Sequence, residues 1–195
     1  MKTNLLLGAL ASWWLIIPLA GAEETATPSK TYAPDHCEFT ITFPDEPYTT
    51  QRCDDQGERC YNQISYTQVF DLQSTVNFRV LCNPIDAGII DSYSGEVMQG
   101  TLRAMTKRAV VETFDTSFRE EDNYKQAGLV GQGTSGKLPT LYIAQLWIGK
   151  RSAFSVEAEL IGEASAAPDK MFSDILKSVG VKEKEEIREK KEEKE

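Results

Sequence analysis

The segment STVNFRVLC at 74–82 sets Val76, Phe78, Val80 and Cys82 in strict alternation with Asn77 and Arg79. A period of two belongs to a strand with one buried face. The chain must therefore build a sheet around that face, and the face carries a cysteine. The same period recurs elsewhere. In CEFTITF, Phe39, Ile41 and Phe43 alternate with Thr40 and Thr42, and Pro44 and Pro47 end the run. Ile64 and Tyr66 keep step in a strand over about Tyr61–Phe70. Leu141–Ile148 and Ser152–Ile161 read as a hairpin: Tyr142, Ala144, Leu146 and Ile148 alternate on one arm and Phe154, Val156, Ala158 and Leu160 on the other, around Gly149-Lys150. Shorter strands are expected at Val110–Phe114 and Ala127–Gly133.

Two segments carry helical spacing instead. Val97, Met98, Leu102 and Met105 follow a cap at Asp91 or Ser92, with Arg103, Lys107 and Arg108 at the end that favours cations. Phe172, Ile175, Leu176 and Val179 form the stripe of a second helix over Pro168–Ser178, its cap falling on Ala167 and Gly180 supplying a left-handed stop. Strands joined by short turns, with helices in the middle and at the end, predict an α+β fold: an antiparallel sheet with helices packed on it. The domain should span 37–181, preceded by a loose polar arm at 23–36 and followed by a charged tail at 182–195. That tail, KEKEEIREKKEEKE, has Ile187 as its lone apolar residue and cannot bury a core face.

Cys37, Cys53, Cys60 and Cys82 all lie before residue 83. An even cysteine count in an exported protein reads as two disulfides with three possible connectivities, of which the preferred one pairs Cys53–Cys60 across CDDQGERC and Cys37–Cys82 between strands. A zinc site using His36 and the thiols is the alternative, and it lacks the paired C-x2-C spacing of zinc modules. Export is read from residues 1–22: Lys2, then the uncharged LLLGALASWWLIIPL, then Ala20-Gly21-Ala22 as a cleavage step. An uncleaved anchor is the competing reading of the same run. No cysteine stands at the cleavage step, so no lipid attachment is expected. The mature protein should be periplasmic or secreted, without stable membrane insertion.

Charge narrows the partners. The chain has 21 Lys+Arg against 30 Asp+Glu, a net charge of −9, which makes nucleic acid and anionic membrane surfaces poor candidates as partners. With a single histidine, His36, no multi-histidine metal site or His-paired dyad is expected. The segment GQGTSGK at 131–137 matches G-x-G-x-x-G and the start of a phosphate-binding loop. Both patterns need a helix immediately afterwards, and Leu138-Pro139 leads into a strand. Ser135 does not sit in G-x-S-x-G. Cys53 and Cys60 are too far apart for C-x-x-C. Glu120, Glu121 and Asp122 lack an apolar shell to raise a pKa. No catalytic, cofactor or metal residue is assigned.

The element order, with FTITFP opening the first strand, a central helix, and F-x-x-I-L-x-S-V closing the chain (Phe172, Ile175, Leu176, Ser178, Val179), resembles the PsbP-like superfamily, which includes DcrB-type envelope proteins. The resemblance implies a helix–sheet–helix sandwich over about Cys37–Val181, and a binding or assembly role without catalysis. FPDEPYTT stands where that family has a tryptophan soon after its opening F-P, and no functional residue carries over.

The expectation is thus an exported, non-enzymatic protein-binding or accessory factor with an envelope protein as partner. An inhibitor or immunity-type protein is one version, binding a basic partner through Glu120, Glu121, Asp122 and Tyr124. A small-ligand carrier with a pocket lined by Phe78, Met98 and Trp147 is the alternative, and a hydrolase acting through His36 ranks last.

Overall fold

The computed structural model describes residues 29–53, 56–58, 60–106 and 112–182. The expected leader, most of the charged tail and Val110 lie outside them. Among these residues ten strands and two α-helices follow one another, with a short 3-10 helix (Ile89–Ser92) before α1: β1 (Lys30–Tyr32), β2 (Phe39–Phe43), β3 (Tyr48–Cys53), β4 (Cys60–Phe70), β5 (Ser74–Pro84), α1 (Gly95–Thr106), β6 (Glu112–Glu120), β7 (Lys125–Ser135), β8 (Leu138–Ile148), β9 (Ser152–Gly162), α2 (Ala166–Lys177) and β10 (Gly180–Val181). Seven strands form one antiparallel sheet in the order β3-β4-β5-β9-β8-β7-β6, and β1, β2 and β10 form a small second sheet. The α+β class expected from the periodicities is the fold observed.

The alternating residues of β2 and β5 are buried as their period requires: Phe39, Ile41 and Phe43 are at most 1% exposed, and Val76 and Val80 are at 0%. Each such side chain contributes roughly 1.5–3 kcal/mol by leaving water. The β8–β9 hairpin forms with Trp147 opposite Phe154 and Tyr142 opposite Glu159. That register puts Tyr142, Ala144, Leu146 and Ile148 on one face and Phe154, Val156, Ala158 and Leu160 on the other, because side chains directly across a ladder share a face. The central strands are therefore buried on both sides. On the first face α2 and the β1-β2-β10 sheet pack over β4, β5 and β9 around Phe78, Phe154 and Phe172. On the second face α1 seats Met98 and Leu102 on Ala127, Leu129, Tyr142 and Ala144.

Several expectations change in detail. Part of the arm expected at 23–36 is a strand, β1: Lys30–Tyr32 pair with β2, and the hydroxyls of Thr31 and Thr42 lie 2.9 Å apart. Tyr48–Cys53 is an edge strand with no apolar period, which is why alternation missed it. Asp91 and Ser92 belong to a 3-10 turn, and Ser94 Oγ caps α1 by accepting the Val97 N–H at 3.2 Å. Val97 is 48% exposed and lies off the buried stripe. α2 starts at Ala166 after Ser165, two residues before the expected cap at Ala167 would allow. Gly180 is no left-handed stop; it pairs with Thr40 in β10, while Ser178 closes the helix by donating its hydroxyl to Ile175 O at 2.7 Å. Both expected disulfides, Cys37–Cys82 and Cys53–Cys60, are formed.

Candidate functional site: a groove beside the closing helix

α2 does not cover the whole first face of the sheet. Phe172 and Ile175 point into the core, at 4% and 2% exposure. The next stripe of the same helix, Asp169, Ser173, Leu176 and Lys177, follows the spacing of neighbouring turns and lines a cleft toward β8, with Leu176 only partly buried against the core. Between that flank and the strands lies a groove of about 900 Å³. Its floor is Leu141 and Ile143 of β8 and Leu160 of β9. Leu141 and Ile143 are half-buried, although their side chains are wholly apolar. One end of the rim carries Glu163 and Asp169, and the other Gln145 and Lys177.

The Gln145 end is held by aromatic packing. Trp147 Nε1–H donates to Gln145 Oε1 at 3.0 Å, which leaves the Gln145 amide hydrogens directed elsewhere. Trp147 packs on Phe39 at 5.6 Å and on Tyr124 at 5.3 Å between ring centroids. The groove therefore combines an aliphatic floor, a polar rim and one rigid wall, the usual make-up of a binding cleft. Its charged groups sit at the exposed rim and not on the floor, so the floor offers burial and no acid–base pair.

The residues expected for a ligand pocket are not brought together. Phe78 lies in the first-face core, 5.6 Å from Phe172 between ring centroids, whereas Met98 is fully buried beneath α1 on the second face. The sheet itself separates Met98 from Trp147. The signal that marks the real groove is subtler: Leu141 and Ile143 are the out-of-step apolar residues of β8, alternating with the Tyr142 and Ala144 stripe.

Glu120, Glu121, Asp122 and Tyr124 do gather at one place, the tip of the β6–β7 hairpin. There Glu121 N–H donates to Tyr124 O at 2.9 Å. Part of the acidity is answered locally, since Glu120 pairs with Lys125 at 3.2 Å and Glu121 with Arg119 at 3.4 Å. Tyr124 is half-buried rather than free: its hydroxyl accepts from Arg119 at 2.8 Å, and that guanidinium lies 5.6 Å from the ring centroid. Asp122 has no ion pair among the described residues.

Elsewhere, His36 Nε2–H donates to the Cys82 carbonyl at 3.1 Å, beside oxidised sulfur and not a free thiol. No group of three His, Cys, Asp or Glu able to hold a metal ion occurs among the described residues. GQGTSGK runs from β7 into a turn at Gly136, whose φ of 63° suits glycine, and Leu138 opens β8 with no helix between. On the second face Tyr142 Oη–H donates to Glu157 at 2.9 Å, and Glu157 also pairs with Arg79 at 3.3 Å. Burial, and then the Glu157 charge, push the Tyr142 phenol far above its ordinary range. No helix among the described residues is long and apolar enough to cross a membrane.

No family model matches the chain, and no curated protein matches it. Among solved structures it is similar to the solution structure of cyanobacterial PsbP (CyanoP) from Synechocystis sp. PCC 6803, with a TM-score of 0.50 and 13% identity over 83% of this chain and 96% of that one. A crystal structure from Bacteroides thetaiotaomicron VPI-5482 is similar at a TM-score of 0.41 and 13% identity, over 80% of this chain and 49% of that one. At such identity the likeness to CyanoP shows architecture alone: the chain has a PsbP-like α+β fold.

Proposed function

We propose that this chain is an exported, non-enzymatic binding protein of the cell envelope, an assembly or accessory factor in the manner of PsbP-like and DcrB-type proteins. Its partner is an envelope protein that lays an apolar segment into the groove beside α2. The observation that carries this reading is the half-buried floor of Leu141 and Ile143 under a polar rim. Apolar side chains left open in a cleft gain free energy when a partner covers them. Export is supported by the uncharged run at 5–19 before Ala20-Gly21-Ala22 and by two disulfides, which persist in oxidising compartments. The mature protein then works in the periplasm or outside the cell.

The size of the groove favours a second reading, a small-ligand carrier, because about 900 Å³ falls within the range of small-molecule clefts. Crosslinking of tagged full-length protein in intact cells, followed by mass spectrometry, separates the two. The expected result is one dominant envelope protein that is captured by the wild type and lost with Leu176→Glu. A bound small molecule in native mass spectrometry, with no protein captured, establishes the carrier. Capture that survives Leu176→Glu but disappears with Glu120→Lys and Glu121→Lys moves the interface to the β6–β7 tip and overturns the groove.

A further inference from the structure

The two disulfides sit in opposite surroundings. Cys37 and Cys82 are 2% and 3% exposed, lie in the first-face core and close a loop with a sequence separation of 45. Cys53 and Cys60 are both exposed, close a separation of only 7, and stand directly opposite each other where β3 ends and β4 begins. β3 is an edge strand that pairs with β4 alone, and five of its six residues are exposed. Two physical consequences follow. Thiol–disulfide exchange requires a thiolate to reach a sulfur atom, so access selects the outer pair. A short ring also restrains the unfolded chain less than a long one, so the fold depends less on the outer bond than on the inner one.

From this contrast we infer that Cys53–Cys60 is a redox-exchange site: a clip on the edge of the sheet that a dithiol reductant opens while Cys37–Cys82 stays closed. The attacking thiolate bonds to one of the two sulfurs as the Cys53–Cys60 bond breaks, and the displaced cysteine leaves as a thiolate that takes up a proton. The second thiol of the reductant resolves the mixed disulfide. Two electrons and two protons have then passed from the dithiol, now oxidised, to Cys53 and Cys60. Opening the clip removes the covalent tie at the β3–β4 tip. What then holds β3 is its hydrogen-bond ladder to β4, because almost none of its surface is buried. The core does not depend on this bond, so the fold persists with a loosened edge. This inference stands apart from the groove and is tested separately from it.

The test treats the native full chain with graded dithiothreitol without denaturant, traps thiols with an alkylating reagent and maps them by mass spectrometry. Cys53 and Cys60 should be alkylated together, about tenfold faster or more than Cys37 and Cys82. Amide exchange over 48–53 should rise in that partly reduced protein while 76–82 stays protected. The double variant Cys53→Ser with Cys60→Ser should reproduce the faster exchange and lose the early alkylation. Reduction of both disulfides at one rate, or unchanged exchange across 48–53 after selective opening, overturns the proposal.

Discussion

Glu38 and Ser152, 114 residues apart, hold each other in a reciprocal clasp. Glu38 N–H donates to Ser152 Oγ at 3.0 Å, while Glu38 Oε2 accepts from Ser152 N–H at 3.0 Å and from Ser152 Oγ–H at 3.2 Å. The same carboxylate oxygen accepts from Arg151 N–H at 2.8 Å. The start of β2 is thereby tied to the turn of the β8–β9 hairpin, where Gly149 N–H donates to Ser152 O at 2.8 Å. Hydrogen bonds to a charged acceptor contribute about 1.5–3 kcal/mol, and unpaired donors carry a further penalty. Glu38→Ala should lower unfolding stability by about 3 kcal/mol in urea denaturation.

Gly149 belongs to the same unit for a steric reason. A Cβ there would lie 2.2 Å from Glu38 Oε2, so Gly149→Ala must displace the carboxylate. The double variant of Glu38→Ala with Gly149→Ala should be no worse than the worse single variant by more than about 0.5 kcal/mol. Full additivity would show that the two act independently.

Tyr142 makes an alkaline prediction. Its folded pKa lies far above 10.0, through burial and the Glu157 charge. The unfolded phenol loses its proton near pH 10 while the folded one retains it. The unfolded state then binds fewer protons, so stability is full below about pH 10 and falls as pH rises beyond it. Tyr142→Phe should cost about 1 kcal/mol at pH 7 and make the alkaline decline shallower. Chemical denaturation from pH 7 upward reads both effects, and an equally steep decline in the variant would remove Tyr142 as its source.

The buried disulfide should matter more to stability than the exposed one. In the loop-closure model a ring of the Cys37–Cys82 size stabilises by about 4 kcal/mol and one of the Cys53–Cys60 size by about 2–3 kcal/mol. Paired alanine variants of each, compared by thermal and urea unfolding, should keep that order.

The groove should take up an apolar reporter dye. Cleavage after Ala22, as proposed above, would remove Trp13 and Trp14 and leave Trp147 as the one tryptophan, and Trp147 stands at the Gln145 end of the groove. Energy transfer from Trp147 to an anilinonaphthalene dye should accompany binding. Leu176→Glu places a charge on that wall and should weaken the dye about tenfold, equivalent to about 1.4 kcal/mol. Unaltered transfer would place the dye elsewhere.

Much of this architecture is written in local pattern. The strands around Phe39, Val76 and Phe154 and the helix around Phe172 are legible because one buried face imposes a period of two or 3.6 on a run of residues. The preferred disulfide pairing also had a local basis, since Cys82 falls on the buried face of its strand and Cys53 and Cys60 flank a polar turn, although two other pairings stayed open until the fold was seen. β1 and β3 were not legible: three residues make no period, and an edge strand with two wet faces needs none. The same limit hid the clasp, because nothing local to Glu38 announces a turn that arrives more than a hundred residues later.

The sequence by itself determined which residues seek burial and the α+β class, because these follow from side-chain chemistry within short windows; it left three ways to pair the four cysteines, and the fold chose among them. Only the tertiary structure decided which buried residues share a side of the sheet. The register of the β8–β9 hairpin pairs Trp147 with Phe154 and sends Tyr142 to the opposite face, and this separates Met98 from Phe78. It also leaves Leu141 and Ile143 under the uncovered flank of α2. A cleft is the space between elements, and that space depends on how far a helix reaches across strands distant from it in the chain.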